Sequence, residues 1–148
     1  MNAADGGFFV DSNLLLYSVD PVDPVKRARA SEWLETLWIT GTGRLSWQVL
    51  HEFYWNAVKK MRLSPASARE IVEDLSHWGP VGASLGLVQQ AWQWMDMTQL
   101  PYWDALILSA AERSGSRYLL SEDFQSDRKY AEIQVLNPFE YAPADFLS

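Results

Sequence analysis

The chain has 148 residues, 48% of them hydrophobic, which is the size of a single domain with a core of its own. It contains no cysteine, which excludes disulfide bonds, thiolate metal sites and cysteine nucleophiles and is typical of cytosolic proteins. The net charge of −7 excludes proteins that hold nucleic acid mainly by neutralising phosphates, so any action on nucleic acid requires local contacts or a metal ion.

The sequence carries no signal for export or membrane insertion. Residues 1–7 lack the basic and apolar regions of a secretory signal, and no apolar run approaches the roughly 18 residues that cross a bilayer. We therefore expect a cytoplasmic protein without membrane contact, in which residues 1–7 form a flexible N-terminal tail.

The first predicted element is a buried strand that ends in an acid. Phe8, Phe9 and Val10 are aromatic or β-branched, Asp11 ends this run, and an apolar helix-compatible stretch begins at Leu14. Open α/β sheets bind ligands just beyond the carboxyl ends of their strands. Asp11 is therefore either a turn residue or the first residue of an active site.

The middle of the chain is predicted to be mostly helical. Apolar spacing and capping residues predict helices over residues 25–38, 47–61, 65–77, 85–96 and 102–113. A short strand at residues 44–46 precedes the second of these helices, and residues 78–83 form an extended connection or brief strand. Gln48 and Glu52 share a face of the second helix, although Gln48 is most simply a solvated residue.

Two further strands are predicted near the end of the chain, at residues 117–121 and 133–136. The first of them runs into Ser121, Glu122 and Asp123, again a strand that ends in small polar and acidic residues. The order of strands and helices predicts an α/β fold, with helices on both faces of a central, mostly parallel sheet of four to five strands.

Four acids occupy comparable positions in these elements. Asp11 and Asp123 follow strands, while Glu52 and Asp104 lie in the first turn or two of helices that begin near the same edge of the sheet. Each has an ordinary explanation as a cap, a turn residue or a charge that complements the helix dipole. Together they suggest a site, because most of them adjoin strongly apolar sequence, where an unpaired carboxylate costs several kcal/mol.

Carboxylates that converge in a partly dry cleft need either protons or a cation. Without cysteine, and with His51 and His77 in no metal-binding spacing, the oxygen-only donor set favours Mg²⁺ or Mn²⁺ over Zn²⁺. A hard divalent ion in an acidic cleft suggests phosphodiester chemistry.

Four segments resemble, in order, the four motifs of PIN domains, and most closely those of the bacterial VapC-like toxins. They are Phe9–Leu15, Ser46–Phe53, Tyr102–Ile107 and Leu120–Phe124. Four ordered motifs form a strong signal where any single one would be weak. The resemblance implies a PIN-like three-layer α/β/α domain over residues 8–139, followed by a C-terminal tail at residues 140–148.

The resemblance also implies an activity, a Mg²⁺-dependent endoribonuclease with Mn²⁺ as the second choice of ion. The protein would be the toxin of a type II toxin–antitoxin system, a homodimer blocked by a cognate antitoxin. Asn13 and Ser121 match polar positions that steady the acids or water. The metal-binding, catalytic acids it implies are Asp11, Glu52, Asp104 and Asp123.

Two other interpretations stay open at this point. One is a non-catalytic PIN-like protein that binds RNA or a partner and whose acids hold metal without turnover. The other is a receiver-like phosphoacceptor with Asp11 as the acceptor, although Asp123 stands where that class of protein has a lysine. Several cations near helix ends could contact phosphate, although most of them are more simply explained as ordinary helix-end cations. They are Lys26, Arg27, Arg29, Lys59, Lys60 and Arg62.

Overall fold

The computed structural model describes residues 6–147, and its centre is a five-stranded sheet in the order β2-β1-β3-β5-β4. The first four of these strands in that order run parallel, and β4 pairs antiparallel with β5. This agrees with the predicted α/β fold and its mostly parallel sheet. The strands are β1 (Phe8–Val10), β2 (Gly43–Arg44), β3 (Tyr118–Leu120), β4 (Lys129–Tyr130) and β5 (Ile133–Leu136).

Helices connect these strands, and several begin at residues whose side chains cap the helix. The hydroxyl or carboxylate of the cap accepts a hydrogen bond from a backbone N–H of the first turn, as at Asp23, Ser46, Ser64 and Ser84. The helices are α1 (Ser12–Tyr17), α2 (Pro24–Thr40), α3 (Trp47–Lys59), α4 (Pro65–Leu75), α5 (Leu85–Met97) and α6 (Tyr102–Arg113). Within residues 6–147, none of the helices is long and apolar enough to cross a membrane.

The two central strands form the most deeply buried part of the core. Every residue of β1 is fully buried, and so are Leu119 and Leu120 of β3. Because successive residues of a strand face opposite sides, this burial requires cover on both faces of the sheet. The apolar helix α6 is buried from Ala105 to Ala111. Asp11, after β1, and Asp123, after β3, therefore lie at the edge of the buried core.

The structure differs from the predictions at the short edge elements. The strand predicted at residues 44–46 ends at Arg44, because Ser46 instead caps α3 and forms an isolated parallel bridge with Val81. The two-residue strand β4 was not predicted. Two residues are too short to show an alternating pattern, and only its antiparallel pairing with β5 makes it a strand.

The chain ends differ from the predicted tails wherever they are described. Residues 1–5 and Ser148 lie outside the described residues, but the carbonyl groups of Gly6 and Gly7 accept hydrogen bonds from the N–H of Arg117 (2.8 and 3.1 Å). Residues 140–147, predicted as part of a tail, pack on the core: Leu147 is 7% exposed, and the ring of Phe146 lies 5.1 Å from that of Tyr118. Burial of these apolar side chains extends the packed domain beyond residue 139.

Candidate active site

Asp11 lies at the carboxyl end of β1 and is only 4% exposed. Its Oδ1 accepts a hydrogen bond from the backbone N–H of Ser12 (2.7 Å), and its Oδ2 accepts one from the Ser121 hydroxyl (2.7 Å). Burial raises the pKa of Asp11 from its ordinary value of 3.8 to about 7; these hydrogen bonds lower it, and the charges of Asp123 and Glu52 raise it further. Ionised Asp11 is therefore costly in the absence of a cation.

Glu52 meets the first turn of α1 through Ser12. The Ser12 hydroxyl donates to Glu52 Oε2 (2.8 Å), and Gln48 Nε2, one turn earlier in α3, donates to Glu52 Oε1 (3.0 Å). Gln48 Nε2 also donates to the carbonyl oxygen of Trp103 in the first turn of α6 (3.3 Å). These bonds orient both carboxylate oxygens of Glu52 and tie together the starts of α1, α3 and α6.

Asp123 is oriented by two polar side chains, Asn13 of α1 and Ser121, which directly follows β3. Asn13 Nδ2 donates to Asp123 Oδ2 (3.1 Å), and the backbone N–H of Asp123 donates to Ser121 Oγ (3.1 Å). The Ser121 hydroxyl therefore bonds to two acidic residues at once, because it donates to the carboxylate of Asp11 and accepts from the backbone N–H of Asp123. Asn13 and Ser121 are the two residues predicted to support the acids, and both contact an acid here.

Asp104 lies in the first turn of α6, as predicted. Partial burial raises the pKa of Asp104, and the charges of Asp123 and Glu52 raise it further. Asp11 and Asp104 thus both experience the charges of Glu52 and Asp123. The four predicted acids, separated by more than a hundred residues of sequence, are brought to one edge of the sheet.

The family model for the PIN domain matches residues 8–132 of the chain. This chain belongs to the PIN domain family. Its fold is also similar to that of VapC20 from Mycobacterium tuberculosis, a toxin that cleaves the sarcin–ricin loop, with a TM-score of 0.59 and 16% sequence identity. The similarity covers 86% of this chain and 99% of that chain. No significant match occurs among proteins with curated descriptions.

Membership of the PIN family confirms the resemblance drawn from the four motifs. The receiver-like interpretation, with Asp11 as a phosphoacceptor, is wrong, because the family match covers most of the chain. The similarity to VapC20 supports the PIN fold alone, since 16% identity is too low to carry details of a site.

The acid cluster of this PIN domain has the chemistry of a divalent cation site. Its donors are all oxygens, and the charges of Glu52 and Asp123 raise the pKa of Asp11 and of Asp104, which indicates negative charge that a cation would balance. The buried Oδ1 of Asn13 has no protein hydrogen-bond partner within residues 6–147. Across the same residues, no three acidic or histidine side chains form a ready-made metal cage. Mg²⁺ is usually held by one or two carboxylates and several waters, so the donor set fits a hydrated ion.

An apolar groove of about 680 Å³ adjoins the acid cluster and shares Gln48 and Glu52 with it. The groove runs between α3, α5 and α6, and among residues 6–147 no lysine or arginine lines it. At its rim, Trp103 is 65% exposed and Trp47 is 39% exposed. Exposed apolar side chains that adjoin an apolar groove are typical of surfaces that contact a ligand or a partner.

Sequence reasoning missed Ser12 and gave Gln48 too small a role. Ser12 directly follows Asp11, and that position in the first turn of α1 was the only signal that it could reach a neighbouring helix. Gln48 was interpreted as a solvated residue, whereas it donates to Glu52 and to the first turn of α6. Both roles depend on how α1, α3 and α6 pack against one another.

Proposed function

We propose that this PIN domain is an endoribonuclease that hydrolyses RNA phosphodiester bonds with the help of a divalent ion, Mg²⁺ or Mn²⁺. The observation that carries the proposal is a hydrogen-bond network that brings three acids together at one edge of the sheet: Ser12 and Ser121 donate to Asp11, Ser12 donates to Glu52, and Asn13 donates to Asp123. The charges of Glu52 and Asp123 also raise the pKa of Asp104. Such a cluster is costly to the fold without a cation, so its presence favours a catalytic role over a structural one.

The proposed ligands of the ion are Asp11, Glu52, Asp104 and Asp123. When bound, a divalent ion polarises the phosphate and helps to deprotonate the attacking water. Ser121 holds the carboxylate of Asp11 in one orientation, and Ser12 does the same for Glu52. Asn13 orients the carboxylate of Asp123 through its Nδ2. Hydrolysis of this kind leaves a 5′-phosphate and a 3′-hydroxyl on the two product strands.

The proposal includes a biological role as the toxin of a type II toxin–antitoxin pair in the cytoplasm. Its support is the resemblance of the four motifs to VapC-like toxins, together with the shared fold of VapC20. The apolar groove beside Glu52 and the exposed ring of Trp103 suit a protein partner that covers the acids, which is the role of a cognate antitoxin. A homodimer is part of the same proposal.

Cleavage of single-stranded RNA with Mg²⁺, with Mn²⁺ and with EDTA tests the activity. We expect cleavage with either ion and none with EDTA. Asp104→Asn removes one proposed ligand while conserving side-chain volume, so we expect at least a hundredfold loss of rate with the fold intact. Glu70→Gln, on the exposed surface of α4, is the matched control and should cleave at the wild-type rate.

An alternative function is a non-catalytic PIN-like protein that binds RNA or a partner. The apolar groove beside Glu52, with the exposed ring of Trp103 at its rim, favours it. RNA binding by the wild-type chain without cleavage under either ion would support this alternative and would contradict the nuclease proposal. Undiminished metal-dependent cleavage by Asp104→Asn would contradict the assignment of the ligands.

A further inference from the structure

Lys26, in the first turn of α2, is held by one acid and two aromatic rings. Its ammonium lies 2.5 Å from Glu122 Oε2 and 3.4 Å from the hydroxyl of Tyr17. The same ammonium lies 4.5 Å from the ring centroid of Tyr17 and 4.8 Å from that of Phe139. Charge pairing and two cation–π contacts thus act on one group, and the hydrogen bond to Glu122 raises the pKa of Lys26.

The contacts of Lys26 join four separate segments of the chain. Tyr17 is the last residue of α1, Glu122 follows β3, and Phe139 follows β5. The two rings pack edge to face with centroids 5.0 Å apart, so they form a fixed frame around the ammonium. An exposed ion pair alone contributes little to stability. Here the two rings already restrict the Lys26 side chain, so forming the ion pair with Glu122 costs less side-chain entropy.

Glu122 is the residue between Ser121 and Asp123. Ser121 contacts Asp11, and Asp123 contacts Asn13, whereas the side chain of Glu122 is bound by Lys26. The loop of residues 121–123 is therefore held on one side by the acid cluster and on the other by Lys26. Lys26 also balances the charge of Glu122, which would otherwise add a further negative charge next to the cluster.

We propose that Lys26 is a positioning residue that fixes the loop of residues 121–123, and with it Asp123, for binding of the divalent ion. This inference rests on the proposed function, because it concerns the same acid cluster. It differs from a role of Lys26 in binding the phosphates of RNA, since the ammonium is already engaged by Glu122, Tyr17 and Phe139. The groups that face Lys26 belong to α1, to the loop after β3 and to the segment after β5.

The test compares Lys26→Met and Lys26→Arg with the control Lys59→Met. Lys59, at the end of α3, also lies over an aromatic ring, 5.2 Å from the centroid of Trp55, so its loss removes a comparable cation–π contact. The first measurement is calorimetric titration with Mn²⁺ alone, without RNA. We expect Lys26→Met to weaken Mn²⁺ binding by roughly tenfold, in the range typical of residues that orient metal ligands. Lys26→Arg should restore most of the affinity, and Lys59→Met should match the wild type.

The second measurement is amide hydrogen exchange in EDTA, which needs neither ion nor activity. The backbone N–H of Asp123 donates to Ser121 Oγ, and we expect this amide and its neighbours to exchange faster in Lys26→Met than in either comparison variant. Adding Glu122→Gln to Lys26→Met should cause little further loss of Mn²⁺ affinity, since the two residues act through one contact.

Several results would overturn the proposal. Equal Mn²⁺ affinity in Lys26→Met and the wild type would do so, as would equal losses in Lys26→Met and Lys59→Met. A higher KM for RNA with unchanged ion affinity would assign Lys26 to phosphate binding instead. If the wild-type chain bound no ion, the proposed function would fail, and the predicted effect of Lys26 on ion affinity would fail with it. Unchanged hydrogen exchange at residues 121–123 in Lys26→Met would separately show that Lys26 does not hold this loop.

Discussion

The hydroxyl of Ser121 donates a hydrogen bond to the buried carboxylate of Asp11 (2.7 Å), although the two residues lie 110 positions apart in the chain. The register of the sheet brings them together, because β1 and β3 are parallel neighbours with Val10 opposite Leu120. Each strand therefore ends at the same level, and the next residue of each one enters the acid cluster. The bond links the core of the sheet directly to the candidate site.

The first prediction concerns this bond. Ser121→Ala removes the donor to Asp11 and the acceptor for the N–H of Asp123, so we expect the RNA cleavage rate to fall by about tenfold to a hundredfold. The hydrogen bond from Ser121 lowers the pKa of Asp11, and its loss should move the acidic limb of the pH–rate profile to higher pH.

Ser109→Ala is the matched control for Ser121→Ala. Ser109 is also a fully buried serine, but its hydroxyl donates to the carbonyl oxygen of Ala105 within α6. We expect its loss to leave the pH–rate profile unchanged. Equal profiles for both variants would show that the hydroxyl of Ser121 does not orient the acids.

The second prediction concerns the pH dependence of stability in EDTA. The pKa of Asp11 is about 7 in the folded protein and near its ordinary value of 3.8 in the unfolded chain, so the folded state binds more protons between these values. Its contribution to stability is fully present below pH 3.8 and is lost as the pH rises through about 7. The free energy of unfolding should therefore fall by a few kcal/mol over this range relative to Asp11→Asn.

Urea denaturation of both proteins at a series of pH values measures this difference. Asp11→Asn carries no ionisable group at this position, so its stability should exceed that of the wild type above pH 7. Asp104→Asn should show a change in the same direction, because burial raises the pKa of Asp104 as well. If the wild type instead gained stability relative to Asp11→Asn between pH 4 and 7, the result would contradict a raised pKa of Asp11 in the folded protein.

The third prediction concerns the C-terminal segment. The ring of Phe146 lies 5.1 Å from that of Tyr118 and 5.5 Å from that of Tyr141, while Trp33 Nε1 donates to the carbonyl oxygen of Tyr141 (3.0 Å). Phe146→Ala should lower the free energy of unfolding by about 2 kcal/mol, less than for a fully buried phenylalanine because Phe146 is only partly buried. Urea denaturation measures the loss.

Val22→Ala is the control for this prediction, since Val22 is 85% exposed and should be substituted at little cost. The rate of RNA cleavage per folded molecule should stay unchanged in Phe146→Ala, because the segment lies away from the acid cluster. Equal stability of Phe146→Ala and the wild type would support the original prediction of a C-terminal tail beginning at residue 140.

The elements that sequence predicted well are those whose signals are local. The helix predicted at residues 102–113 has these bounds in the structure, because Pro101 opens it and Gly115, which adopts a left-handed conformation, follows its end. Capping by Ser84 and Ser64 likewise depends only on the next three residues. The positions of Asp11 and Asp123 after strands, and of Glu52 and Asp104 within the first two turns of helices, were predictable for the same reason.

By itself, the sequence determined the α/β order of elements and the family, since these follow from neighbouring residues and ordered motifs. Only the tertiary structure decided which polar groups meet. Ser12 reaches Glu52 across 40 residues and Lys26 reaches Glu122 across 96, and no pattern in either segment encodes such a pairing. A side-chain hydrogen bond forms only when packing brings donor and acceptor to within about 3 Å, and the packing of the whole sheet and its helices sets that distance.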